Sequence, residues 1–312
     1  MSMFEARTPG FGYEAFVEHP IQPSSEKISQ ESLAIQEAFK AGKEYVVGWG
    51  NQEEKYIEQS MHDLGSYLSN LDHSLSYEGT DKKVAWRKSC WFASRGIGEP
   101  FLDSENDIAK FDGDLRDGLL GLQALHDPKI QESMHTLKSA LDNALVTTSM
   151  AVGIDADLVQ RCTVRYRAIK YTPNAGAPGG IGLHPDGNLL SALITNGPGL
   201  RVYDLDGTIR FPGCKGTIMM GGSTLYRWAN EFIPTFHDVD IRGGEKVSIV
   251  AFFNFPDMEE IPRPLKAGGD VFFHDIRRIK EDDKLPSGEL SALWDAIIKK
   301  YQLCLPPGLA SG

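Results

Sequence analysis

The fold is decided by the stretch HPDGNLLSALITNGPGLRVYDLDGTIRFPGCKGTIMM, which spans residues 184–220. Short apolar and β-branched runs alternate in it with turn sequences such as Asn196-Gly197-Pro198-Gly199, a pattern typical of successive β-strands. Eight such strands without intervening helices favour an antiparallel sandwich or jelly roll over a parallel α/β sheet. The predicted strands are residues 162–171, 182–184, 189–195, 200–203, 208–211, 217–220, 235–239 and 247–255.

The chain before residue 160 has a different, helical pattern. Apolar residues recur at helical spacing before Gly42, over residues 56–71, and between Pro128 and Gly153, which predicts helices packed against a core. A last amphipathic helix is predicted over residues 288–303. The predicted fold class is therefore α+β, a double-stranded β-helix (jelly-roll) barrel flanked by N-terminal helices and a C-terminal helix. We expect one domain, with a mostly helical region at 1–160, a jelly-roll core at 161–256 and an extension at 257–312.

Composition narrows the class of partner. The net charge is −11, which argues against nucleic-acid binding because phosphates require a positive surface. No apolar run is long enough to span a membrane, and the first residues lack the basic and apolar segments of a secretory leader. The four cysteines are widely spaced, which predicts reduced thiols and a cytoplasmic location. We expect a small-molecule partner, and the sequence specifies no oligomeric state.

Two histidines and one aspartate form a candidate metal site. His184 and Asp186 are separated by one residue between two predicted strands, and His237 follows 53 positions later on another. Two imidazoles and a carboxylate are the facial triad of non-haem Fe(II) oxygenases, which leaves coordination positions open. A structural zinc site would need a fourth ligand, and no cysteine is close in sequence to either histidine. A shared ion requires the two imidazoles to approach within about 5 Å.

A candidate anion site opens the last predicted strand. Lys246 and Ser248 are two residues apart, so they point to the same face of a strand. A cation and a hydroxyl inside a β cavity are what the distal carboxylate of 2-oxoglutarate needs when it leaves water.

The stretch over residues 165–256 resembles the catalytic barrel of the isopenicillin N synthase-like family of Fe(II)/2-oxoglutarate-dependent dioxygenases. The resemblance implies that His184, Asp186 and His237 are the iron ligands and that Lys246 and Ser248 occupy the places of the family's Arg-x-Ser. The matching motifs, in order, are Tyr171-Thr172-Pro173, His184-Pro185-Asp186-Gly187, Gly199-Leu200-Arg201-Val202, Gly222-Ser223-Thr224-Leu225, Asn230, Lys246-Val247-Ser248 and Phe252-Phe253.

The resemblance also implies the chemistry. Fe(II) would be the cofactor, 2-oxoglutarate and dioxygen the co-substrates, and an unactivated C–H bond of a small metabolite would undergo hydroxylation, desaturation or oxidative cyclisation. Lys170 is a further candidate co-substrate contact, because Thr172 stands where relatives often carry a tyrosine. Arginines near the ligands favour a carboxylated substrate, and the family resemblance implies a role in specialised metabolism. The candidate substrate residues are Arg165, Tyr166, Arg167, Arg201, Arg227, Trp228 and Asn254.

Three other functions stay open. Lysine at position 246 is also compatible with an oxidase of the same fold that does not use 2-oxoglutarate. A non-catalytic small-molecule-binding barrel would keep the metal residues only incidentally. A zinc hydrolase would need an acid/base beside the metal, for which Glu231 and Asp238 are the candidates;.

Overall fold

The computed structural model describes seven stretches of the chain. These are residues 25–71, 86–108, 115–173, 180–204, 208–229, 231–240 and 244–255. The C-terminal helix predicted over residues 288–303 lies outside them. Within them, no helix combines the length and the apolar character needed to cross a membrane.

The longest helix of the described residues shows how the local sequence sets its ends. It begins at Pro128, where the side chain of Asp127 accepts a hydrogen bond from the backbone N–H of Lys129, and Pro is favoured at the first helical position. It ends at Ala151, shortly before Gly153 adopts a left-handed φ of 84°;. The described helices are α1 (Ser25–Lys40), α2 (Asn51–Asn70), α3 (Glu105–Ile108), α4 (Leu115–Leu125), α5 (Pro128–Ala151), α6 (Ala156–Arg161) and α7 (Ser223–Trp228).

The strands lie close to their predicted positions. Each of the eight predicted runs coincides with an observed strand whose ends differ by at most two residues, and the predicted jelly-roll class is confirmed by the arrangement described below. The described strands are β1 (Tyr45–Val47), β2 (Trp86–Ser94), β3 (Thr163–Thr172), β4 (Gly180–His184), β5 (Leu190–Thr195), β6 (Leu200–Tyr203), β7 (Ile209–Arg210), β8 (Thr217–Gly221), β9 (Phe236–Asp240) and β10 (Lys246–Asn254).

These strands form two antiparallel sheets that face each other. The larger has the order β1-β8-β5-β10-β3-β2, and the smaller has the order β4-β9-β6-β7. Leu193 and Ile218 of the larger sheet pack against Leu200 and Val202 of the smaller one. We call this side of the larger sheet its inner face. On the opposite face, alternate side chains such as Ile249 belong to the main core with α2 and α5.

Two strands were missed because they lie in the region that reads as helical. β1 has three residues and pairs with β8, and β2 has nine residues and pairs with β3 along its whole length. The alternation that makes β2 a strand is visible in its burial. Cys90 and Phe92 are buried among the helices, whereas Trp91 between them is half-buried on the other face;.

Candidate metal and co-substrate site

The three predicted metal ligands meet between the sheets. His184 and His237 are direct partners in the antiparallel pairing of β4 with β9, and Asp186 follows β4 in a loop. One donor atom from each residue lies within 4.8 Å of the other two. Asp186 Oδ1 is 3.7 Å from His184 Nε2, and Asp186 Oδ2 is 3.9 Å from His237 Nε2. The two imidazoles thus meet the distance expected for ligands of a shared ion.

Neighbouring groups orient two of these ligands. His237 Nδ1 lies 3.0 Å from the carbonyl oxygen of Thr235, so Nδ1–H donates to that oxygen and Nε2 keeps its lone pair for a metal. Ser191 Oγ donates a 2.5 Å hydrogen bond to Asp186 Oδ2, and Asn188 Nδ2 in turn donates to Ser191 Oγ at 3.0 Å. Such partners of the ligands fix the donor geometry before an ion arrives.

The loop that carries Asp186 is held against the start of α7. The backbone N–H of Ser223 donates to the carbonyl oxygen of Asp186 at 2.8 Å, and Thr224 Oγ1 donates to the carbonyl oxygen of Gly187 at 2.8 Å. This close approach depends on Gly222, because a Cβ there would lie 1.8 Å from the carbonyl oxygen of Asn188. The Gly-Ser-Thr sequence therefore fixes the loop that carries Asp186.

Lys246 is a buried cation on the inner face of the larger sheet. Its residue is 2% exposed, and among the described residues no acceptor lies within hydrogen-bonding distance of its Nζ. The ring of Tyr171 lies below it, with Nζ 5.6 Å from the ring centroid. Burial lowers the pKa of Lys246 to about 8, because the charged form loses its hydration. An anion at this position would stabilise the charged form.

A short chain of side-chain contacts links the metal ligands to the lysine. Val239 follows His237 by two residues on the same face of β9, and it packs against Ile169 and Tyr171 of the larger sheet. Tyr171 then contacts Lys246. Ser248 lies next to Lys246 on the inner face and donates a 3.3 Å hydrogen bond to Thr195 Oγ1.

Several predicted site residues lie on the helical side of the larger sheet, away from the metal ligands. Lys170 points away from the inner face and contacts Ser69 Oγ at 2.6 Å and Glu245 at 3.0 Å. The hydroxyl of Tyr166 donates a 2.5 Å hydrogen bond to Asp142, below the larger sheet, and Trp228 belongs to the main core there. Lys170 and Tyr166 lie away from the metal ligands because successive side chains of a strand point to opposite faces. Their neighbours on β3 occupy the inner face, so these two residues cannot.

Arg201 also lies away from the metal ligands. It pairs with Asp238 on β9, one position from His237, and donates two hydrogen bonds to that carboxylate at 2.7 and 2.6 Å. Val202, the next residue of β6, is the direct partner of His237. Arg201 is therefore on the opposite face of the smaller sheet from the metal ligands. The side chain of Arg227 is not among those described.

The remaining candidates, Arg165, Arg167 and Asn254, occupy the inner face or its edge. Arg165 is the register partner of Phe252, and Arg167 that of Val250. Sequence reasoning missed Trp91 and Tyr171, which share this face. The position of Tyr171 in the Tyr-Thr-Pro motif could have indicated that it lies near the site.

Both acid/base candidates of a zinc hydrolase are engaged in ion pairs away from the metal ligands. Asp238 forms its ion pair with Arg201 on the far face of the smaller sheet. Glu231 forms an exposed ion pair with Lys40, 3.2 Å apart. The described part of the site thus gives no support to hydrolysis by either residue.

Solved structures share the fold of this chain, although no protein-family model and no curated protein matches it. A putative 2OG-Fe(II) oxygenase family protein from Caulobacter crescentus has a TM-score of 0.55 and 16% identity, covering 82% of this chain and 95% of its own. A full-length Neurospora crassa protein in complex with α-ketoglutarate (2-oxoglutarate) and thymine has a TM-score of 0.53 and 16% identity, covering 82% and 93%. The chain has the jelly-roll fold of these proteins.

Proposed function

We propose that the protein is an Fe(II)- and 2-oxoglutarate-dependent dioxygenase that oxidises a C–H bond of a small carboxylated metabolite. His184, Asp186 and His237 would hold the iron, and Lys246 with Ser248 would hold the distal carboxylate of 2-oxoglutarate. The observation that carries the proposal is the meeting of the three donors within 4.8 Å on one sheet, with the buried Nζ of Lys246 on the inner face of the other. That Nζ has no hydrogen-bond partner among the described residues. The reaction would be a hydroxylation, a desaturation or an oxidative cyclisation in specialised metabolism.

The donor set fits Fe(II). Imidazole and carboxylate donors suit this ion, and three protein ligands leave positions for a chelating co-substrate and dioxygen. The hydrogen bonds from Ser191 to Asp186 and from His237 to Thr235 orient donors that would otherwise rotate;. With iron and 2-oxoglutarate bound, the site supplies an oxidant strong enough for an unactivated C–H bond.

The cation fits a dicarboxylic oxoacid. Lys246 is the counter-charge for a carboxylate that must be paired once it is buried;. Its Nζ is a point charge and binds a carboxylate oxygen less directionally than an arginine fork does. Ser248 adds a hydroxyl beside it, and the face of Tyr171 supports the ammonium from below;.

The surrounding side chains keep this end of the space dry. Ile169 and Tyr171 are buried on the inner face next to Lys246, and Val239 of the smaller sheet packs against them. A dry cavity strengthens the interaction of a carboxylate with Lys246, because less water competes for the charge.

The experiment is Fe(II)-dependent release of succinate from 2-oxoglutarate under air, screened with a panel of carboxylated metabolites. The proposal predicts succinate release that a substrate stimulates and that removal of iron abolishes. Substrate oxidation that proceeds equally well without 2-oxoglutarate would replace this function with the oxidase. Failure to bind either iron or 2-oxoglutarate would replace it with a non-catalytic binding barrel.

A further inference from the structure

Part of the inner face of the larger sheet is accessible although it lies between two sheets. On β3, Arg165 and Arg167 are half-buried, whereas the alternating residues Tyr166 and Ala168 are fully buried on the helical side. On β10, Phe252 is half-buried in the same way. Towards Lys246 the inner face is closed, since Ile169 and Tyr171 are buried, so the accessible region is confined to the other end.

Aromatic rings and guanidinium groups form this accessible region. Arg167 stacks on Trp91, with Cζ 4.9 Å from the ring centroid, and its Nη2 donates a 3.1 Å hydrogen bond to Ser89. The rings of Trp91 and Phe252 are 5.7 Å apart and tilted by 42°. We call Trp91, Arg165, Arg167 and Phe252 the aromatic–arginine patch.

The patch borders the metal ligands. Phe252 is flanked by Arg165 of β3 on one side and by Ser191 of β5 on the other. Ser191 is the residue whose hydroxyl donates to Asp186. A molecule that lies on Phe252 is therefore next to the strand that orients a metal ligand, at the opposite end of β10 from Lys246.

From this geometry we infer that the aromatic–arginine patch binds the substrate, and that the substrate is a flat, aromatic molecule that carries a carboxylate. Trp91 and Phe252 are half-buried, and aromatic rings of this kind prefer a planar ring to a puckered one. Arg165 and Arg167, two residues apart on one face of β3, supply bidentate donors for the carboxylate. This inference rests on the proposed function and names its substrate class.

Three probes of matched size separate the two features. They are 3-phenylpropionate, 3-cyclohexylpropionate and 3-phenylpropan-1-ol, titrated calorimetrically into protein loaded with Mn(II) and 2-oxoglutarate, which bind without turnover. We expect 3-phenylpropionate to bind at least about threefold more tightly than the cyclohexyl acid, from ring contacts. We expect it to bind at least about tenfold more tightly than the alcohol, from the charge-assisted hydrogen bonds.

Variants assign the preferences to residues. Trp91→Leu should remove the preference for the phenyl ring, and Arg165→Gln should remove most of the preference for the acid. Lys170→Gln is the matched control, because it removes a cation from the same strand but from the opposite face, and it should leave all three affinities unchanged. A thermal melt and the 2-oxoglutarate affinity of each variant report whether the fold and the neighbouring site are intact.

The inference is overturned if none of the acids binds to protein that has taken up Mn(II) and 2-oxoglutarate. It is equally overturned if ring and charge preferences survive both Trp91→Leu and Arg165→Gln, or if Lys170→Gln abolishes them. Failure of the proposed function is distinguishable, since it would be seen earlier in the same titration as absent binding of Mn(II) or of 2-oxoglutarate.

Discussion

Replacing Lys246 with Met removes the proposed counter-charge while keeping a side chain of similar length. The lysine is 2% exposed, so a carboxylate bound beside the methionine would be buried without its charge partner. Losing one member of a buried pair costs about 2 to 5 kcal/mol. The dissociation constant for 2-oxoglutarate should therefore increase by a factor between about 30 and several thousand. Calorimetry with Mn(II)-loaded protein measures this increase.

The pH dependence of the same affinity gives a second readout. Because burial lowers the pKa of Lys246 to about 8, the ammonium is present below that pH and lost above it. Binding of 2-oxoglutarate should thus weaken as pH rises above about 8 in the parent protein, with uptake of a proton. Lys246→Arg keeps the charge at every accessible pH, so it should bind 2-oxoglutarate without this decline.

The stability of the ligand-free protein should increase with pH, whereas its affinity for 2-oxoglutarate decreases. The pKa of Lys246 is lowered on folding, so between about 8 and 10.5 the unfolded chain binds more protons and stability rises with pH. Below about 8 the full cost of burying the charge is present. Lys246→Met should therefore raise the melting temperature of the ligand-free protein at pH 7. Unchanged 2-oxoglutarate affinity in Lys246→Met would refute the role of this lysine in binding the co-substrate, whatever the change in stability.

Three further changes test the supporting contacts. Ser191→Ala removes the hydroxyl that donates to Asp186 and should weaken metal binding by about 10- to 100-fold; metal affinity equal to the parent's would show that Asp186 needs no such partner. Gly222→Ala places a Cβ against the carbonyl oxygen of Asn188 and should lower both metal affinity and melting temperature, whereas Gly213→Ala, with open space around it, should change neither. Lys138→Met leaves Asp142 buried without its lysine and should lower the free energy of unfolding by about 3 kcal/mol in a denaturant titration, while metal affinity stays near that of the parent.

The sequence predicts the strands of this fold well because turns punctuate them. Runs such as residues 200–203 are bounded by Gly-Pro-Gly on one side and Asp on the other, and the observed β6 has these bounds. β2 was missed although Gly96, Gly98 and Pro100 follow its end, because its alternation of Ser89, Cys90, Trp91 and Phe92 becomes informative only once its partner β3 is known. Pairing between distant strands was therefore the missing information.

Missing knowledge of strand pairing also explains why the sequence did not predict which candidate residues share a face with the metal ligands. The metal ligands follow from donor chemistry and order along the chain, which the sequence carries directly. Which face a residue occupies depends on strand parity, and Tyr166 and Arg167 cannot both enter one cavity from adjacent positions on a strand;. The apolar neighbours Leu200 and Val202 already marked Arg201 as the outward residue of β6.

Fe(II) binding by the parent and by three alanine variants tests the central claim most directly. His184→Ala, Asp186→Ala and His237→Ala each remove one donor of the group whose atoms lie within 4.8 Å, whereas His62→Ala removes an exposed histidine elsewhere. Anaerobic titration of Fe(II) followed by 2-oxoglutarate should show one tight site in the parent and in His62→Ala. Each of the three donor variants should lose that site while its thermal melt stays cooperative. Iron affinity within about tenfold of the parent in His237→Ala would contradict the account, because loss of a metal ligand should cost more than loss of a group that merely orients one.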